Sequence, residues 1–167
     1  MKKVFIPIIG VAIFIVAVGL LTKNVQRGKF LNIFSKPSIT SEKKNEVKIG
    51  NAAIAVDIAD TDEERKKGLG GRTSLSEGSG MLFIMPQENS NPGFWMKDMI
   101  IPIDMIWIND GKISKIDKNI QPPSSGTPDS ELTVYRSNAP TDYVLEVPAG
   151  SSDKNGFKEG DTLEIKI

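Results

Sequence analysis

Phe94-Trp95-Met96-Lys97-Asp98-Met99-Ile100-Ile101-Pro102-Ile103-Asp104-Met105-Ile106-Trp107-Ile108 is the most informative run of the chain. It holds both tryptophans and three of the six methionines, and it embeds Lys97, Asp98 and Asp104 among apolar side chains. Proline has no amide proton to give to a ladder, so Pro102 marks a bend, a bulge or an edge. We therefore expect two strands, Phe94 to Met99 and Ile103 to Ile108, joined at Ile101-Pro102. Alternation along the first strand would place Trp95, Lys97 and Met99 on one face, and Phe94, Met96 and Asp98 on the other. Each face then mixes apolar and charged groups, so at least one charge is buried and paired or stands at the rim of a cleft.

Downstream, Asn109-Asp110-Gly111 is a hairpin turn, and Lys112 to Lys118 forms its second strand. Gln121 to Ser130 is rich in Pro, Ser and Gly and predicts a long mobile loop. Leu132 to Tyr135 is a candidate short strand. Tyr143 to Val147 is a firmer one, with Glu146 breaking its apolar run. Ala149-Gly150 opens a loop or short helix that closes at Gly156, and Gly160-Asp161 turns into a last strand, Thr162 to Ile167.

Upstream, Met81 to Met85 is a short apolar strand. Before it, Thr61 with Glu64 three residues on is a capping box, so a short helix starts there and stops at Gly68, Gly70 and Gly71. Val47 to Ala59 alternates as one half-buried strand. Several short strands, tight turns and one small helix predict a mostly β domain over 47–167, a β-rich sandwich or partly closed barrel.

The 46 residues before that domain carry eight Lys and Arg against two acids, and the remainder thirteen against nineteen. A basic stem thus precedes an acidic globule, which argues against nucleic acid as a partner. Val4 to Leu21 is uncharged, mostly apolar and close to the length of a bilayer crossing. We expect residues 1–21 to be a single transmembrane helix anchoring the chain to the cell membrane, with a cleaved signal peptide and secretion as the alternative. Residues 22–46 are expected to be a basic flexible tether, and the globule to face outside the cytoplasm. The 167 residues include no Cys and no His. That removes disulfides, thiolate zinc sites and His-based triads.

Asp104 and Glu146 each sit in an apolar run and need partners, because an unpaired buried charge is very costly. Arg72 and Lys97 are the natural cations. Arg72, Trp95, Lys97, Asp98, Asp104 and Glu146 are therefore the candidate ligand-binding residues, lining one pocket. Three carboxylates could hold a hard cation or act as general acid and base. Equally, the same charges could form a salt-bridge network that fixes strand register, and Trp95, Met96 and Met99 could be ordinary core. Ser74, Ser76 and Ser79 read as turn formers. Gly68 to Gly71 ends a helix, whereas a phosphate cradle begins one. No catalytic residue, metal ligand or cofactor is assigned.

Four motifs carry a resemblance. Gly68-Leu69-x-Gly71-Arg72, Gly80-Met81-Leu82-Phe83, Phe94 to Met99 with Ile101-Pro102-Ile103-Asp104, and Leu145-Glu146 with Ala149-Gly150 resemble the bacterial and archaeal family known as domain of unknown function 192. The resemblance covers roughly Val47 to Ile167. It implies a compact β-barrel or jelly-roll-like fold, often behind a signal peptide or anchor, and no established activity. Gly70 stands where the family usually has Met. Pro122-Pro123 stands where many members have Pro-Cys, which removes thiol chemistry at that loop from what the resemblance implies.

These readings leave three functions to weigh. The first is a membrane-tethered extracytoplasmic module binding a small molecule or an envelope glycan. The second is a carboxylate-based hydrolase, with or without a metal ion, resting on Asp98, Asp104 and Glu146. The third is a protein-interaction module of an envelope complex.

Overall fold

The computed structural model describes residues 45–167. The elements in chain order are β1 (Glu46–Ile49), β2 (Ala52–Ala59), α1 (Asp62–Lys67), β3 (Ser79–Ile84), β4 (Ile103–Asn109), β5 (Lys112–Ile120), β6 (Tyr143–Pro148), α2 (Ser151–Asn155) and β7 (Leu163–Lys166). The expected anchor and nearly all of the tether lie outside the described residues. Among the described residues no helix is long and apolar enough to cross a membrane.

The seven strands make one sheet in the order β5-β4-β6-β3-β2-β1-β7. Every neighbouring pair is antiparallel except β2 and β3, which run parallel because α1 and the turns after it carry the chain back across. The sheet curls until its two edges meet at one end. There Lys112 bridges Thr162, and the amides of Ile113 and Leu163 donate to the carbonyls of Asp161 and Gly111. The expected β-rich domain is thus a curled half-barrel. The sandwich alternative is corrected, since these strands belong to one sheet.

Local signals explain most boundaries. Both arms of the capping box are made: the Glu64 amide donates to the Thr61 hydroxyl, and the Thr61 amide to the Glu64 carboxylate. Asp110 and Gly111 both have positive φ, as a two-residue β4–β5 turn needs. Two strand expectations are overturned. Val47 to Ala59 is a hairpin, because Gly50, at φ 56°, reverses the chain inside the alternating run. Phe94 to Met99 is not a strand either. Asp98 takes φ 58° and the Met99 amide donates to the Met96 carbonyl, so the run is bent back on itself. Its one ladder contact is Phe94 with Tyr135, which is also all that remains of the strand expected at Leu132 to Tyr135.

β3, β4 and β6 are covered on both faces. Inside the curl, Leu82, Ile106, Ile108, Leu145 and Val147 pack with Val47, Ile54 and Phe157. On the outer face, Met81, Phe83, Ile103, Met105, Trp107 and Val144 pack under Leu69, Met96 and Met99. A strap formed by residues 92–101 therefore does for the outer face what a second sheet does in a sandwich.

Candidate functional site

Glu146 lies at the centre of the sheet, in register with Met81 of β3 on one side and Met105 of β4 on the other. Its carboxyl projects onto the outer face, under the strap. It is 5% exposed and makes no hydrogen bond or ion pair among the described residues. Burial among apolar groups disfavours its charged form and pushes its pKa up to about 8.

The strap does not seal this face. A cavity of about 280 Å³ remains, with Glu146 in its wall. Phe83, Phe94, Trp95, Leu69, Met85 and Met99 supply its apolar lining. The charged groups around it are Asp62, Arg65, Lys66 and Lys67 from α1, and Lys97 from the strap. Arg65 is committed elsewhere: it pairs with Asp62 at 2.6 Å and donates to the carbonyls of Asp60 and Ile84. Lys97 pairs with Asp129, which raises the pKa of its ammonium. Lys66 and Lys67 make no ion pair among the described residues. Trp95 is 52% exposed, so it is a wall of the cavity and not a core residue.

Asp104 has the opposite environment. It is fully buried and accepts backbone hydrogen bonds from Asn119 at 2.8 Å, Gly150 at 3.1 Å and Ser152 at 2.8 Å. It shares its side of β4 with Ile106 and Ile108, which face the inner core, while Glu146 faces out. Arg72 pairs at 2.6 Å with Asp57 on β2. Asp98 is exposed at the strap's turn, where its carbonyl accepts from the Gly71 amide.

Of the six expected residues, the structure therefore gathers Trp95, Lys97 and Glu146 around one cavity. It places Arg72, Asp98 and Asp104 outside it. The three carboxylates do not converge. Among the described residues no group of three or more His, Cys, Asp or Glu could hold a metal ion. The hydrolase reading rested on that convergence. Asp129, the partner of Lys97, lies within the loop expected to be mobile, and no local pattern marked it. Lys66 and Lys67 were visible in the sequence only as the basic last turn of a capped helix.

Comparisons with known proteins bear on the family and the fold. No curated protein matches. A solved structure from Sinorhizobium meliloti 1021, provisionally described as a transcription regulator, is 31% identical, with a TM-score of 0.64 over 73% of this chain and 93% of that one. A protein of unknown function from Novosphingobium aromaticivorans DSM 12444 is 30% identical, with a TM-score of 0.63 over 71% and 83%. The model of the DUF192 family, described as uncharacterised, matches residues 45–165. That span includes all of the sheet but its last residue, the strap and every residue lining the Glu146 cavity, and the chain belongs to the DUF192 family.

Proposed function

We propose that the domain is a small-molecule binding module whose ligand enters the cavity beneath the strap. One observation carries this reading. Glu146 is a buried carboxyl without a partner among the described residues, and it opens into a mostly apolar cavity. Such a group weakens the folded protein unless it has a use, since a Gln or Met at the same place would avoid the cost of burying an ionisable group. A mostly apolar pocket with a few convergent polar groups is the usual form of a ligand site, and about 280 Å³ lies just below the usual range of about 300–1,000 Å³. That size suits a metabolite, or the terminal unit of an envelope glycan.

The test is a thermal-shift screen of the full-length chain against a metabolite and glycan library. A ligand at about a hundred times its Kd adds about 2.7 kcal/mol of stability, a readily visible rise in Tm. We expect a hit whose shift shrinks in Trp95→Ala. A broad panel that leaves Tm unmoved would overturn the proposal.

A further inference from the structure

Building on the reading of this cavity as a ligand site, we infer that its ligand is an organic ammonium compound with an apolar body. The nitrogen sits on Glu146, and an anionic group at the far end meets Lys66 and Lys67. The charges around the cavity lead to this class. Among the described residues Glu146 has no cation of its own. Its neighbours across the sheet are Met81 and Met105. The charged groups facing the cavity are Asp62, Arg65, Lys66 and Lys67 from α1, and Lys97 from the strap. Two of the four cations are already neutralised, Arg65 by Asp62 and Lys97 by Asp129. What remains is one buried acid and two exposed lysines around a cavity whose other lining is mostly apolar. A zwitterion with its charges at opposite ends of an apolar body complements that arrangement.

The aromatic lining points the same way. Phe83, Phe94 and Trp95 all border the cavity, and aromatic faces attract ammonium groups. A neutral acceptor on protonated Glu146 would gain one ordinary hydrogen bond and leave Lys66 and Lys67 unused. With a pKa of about 8, roughly one Glu146 in ten is ionised at pH 7. Ionising it for a ligand cation therefore costs about tenfold in affinity. A charge-assisted hydrogen bond, about twice as strong as a neutral one, offsets that cost. On binding, the Glu146 carboxyl gives its proton to solvent, and the ligand keeps its own.

The experiment is calorimetric titration of the full-length chain with three probes: 4-(aminomethyl)benzoate, benzylamine, and 4-(hydroxymethyl)benzoate, in which a hydroxyl replaces the ammonium. We expect the first to bind at least tenfold more tightly than the third. Its affinity should rise about tenfold per pH unit between about pH 6 and 8 and then level off, because the ionised acid is the binding form. Runs in buffers of different ionisation heat should show close to one proton released per ligand at pH 7. Glu146→Gln should abolish the preference for the ammonium, and Lys66→Gln with Lys67→Gln should bring 4-(aminomethyl)benzoate down to the affinity of benzylamine. The pH profile and proton count need no variant, so misfolding of one would not spare the idea. A hydroxyl probe that binds as well as the ammonium, or affinity that stays flat or falls between about pH 6 and 8, overturns the inference and leaves the cavity a ligand site. Silence of all three probes alongside a hit of other chemistry in the broad screen does the same. Silence in both sinks the binding reading as well.

Discussion

At the scale of the residue, two buried carboxylates show how one sequence signal can have two outcomes. Asp104 and Glu146 both interrupt apolar runs, and both call for a partner. Asp104 finds three backbone N–H donors, from the end of β5 and the start of α2. It works as a clamp. Asp104→Asn turns part of that acceptor into a donor facing N–H groups, and hydrogen bonds to charged groups contribute about 1.5–3 kcal/mol each. We expect a loss of about 3 kcal/mol in urea denaturation, with ligand binding unaffected once the protein is folded. Glu146 finds no donor among the described residues, and its proton stays on at neutral pH. The unfolded carboxyl releases its proton near the ordinary value of 4.5, the folded one near 8. Between those values the folded state holds a proton that the unfolded state lacks, so stability falls as pH rises. Denaturation at pH 5, 7 and 9 should show the wild type losing a few kcal/mol relative to Glu146→Gln across that window. Parallel pH curves for the two proteins would count against the raised pKa.

At the scale of the element, the site depends on strands that carry apolar residues on both faces. β3, β4 and β6 need a cover on the outer face, and the strap with Leu69 provides one that leaves a gap. On the inner face, β3 and β6 make close contact at Gly80. A Cβ at Gly80 would stand 2.5 Å from the Glu146 carbonyl oxygen and 3.2 Å from a Val147 methyl carbon. Backbone cannot retreat from that contact without moving β6. Gly80→Ala should therefore cost about 1–3 kcal/mol, the usual range for overpacking, seen as a lower Tm. α1 buries none of its residues, so its place at the mouth rests on the Thr61 cap and the bonds of Arg65 to the carbonyls of Asp60 and Ile84. Thr61→Ala should cost about 1 kcal/mol by urea denaturation.

At the scale of the whole molecule, residues 1–46 raise a separate proposal. We propose that Val4 to Leu21 holds the chain at a membrane and that the acidic domain works outside the cytoplasm. Its support is the length and apolarity of that run. Expressed full length, the protein should sediment with membranes, resist alkaline carbonate extraction, and lose its domain to protease added to intact cells or spheroplasts. A fully soluble uncleaved chain would contradict this.

Elements whose cause is local are legible in the sequence alone. A capping box, an Asp-Gly turn and runs of alternating or continuous apolar residues act over a few positions, and α1, the β4–β5 hairpin and β3, β4 and β6 follow from them. The sequence also marked Glu146 as anomalous. Tertiary structure alone decided which anomalies share a space. Strand order sets Glu146 between Met81 and Met105, and strand parity turns Asp104 to the other side of the sheet. Neither is written in a window of neighbours. Phe94 to Met99 shows the same limit. Its composition suits a strand, but no neighbouring strand offers it a ladder beyond Tyr135, and the outer face gains more from burying Met96 and Met99 together than from alternation. Burial is a property of the assembled sheet, so the cavity and the raised pKa within it exist only once seven strands have found their order.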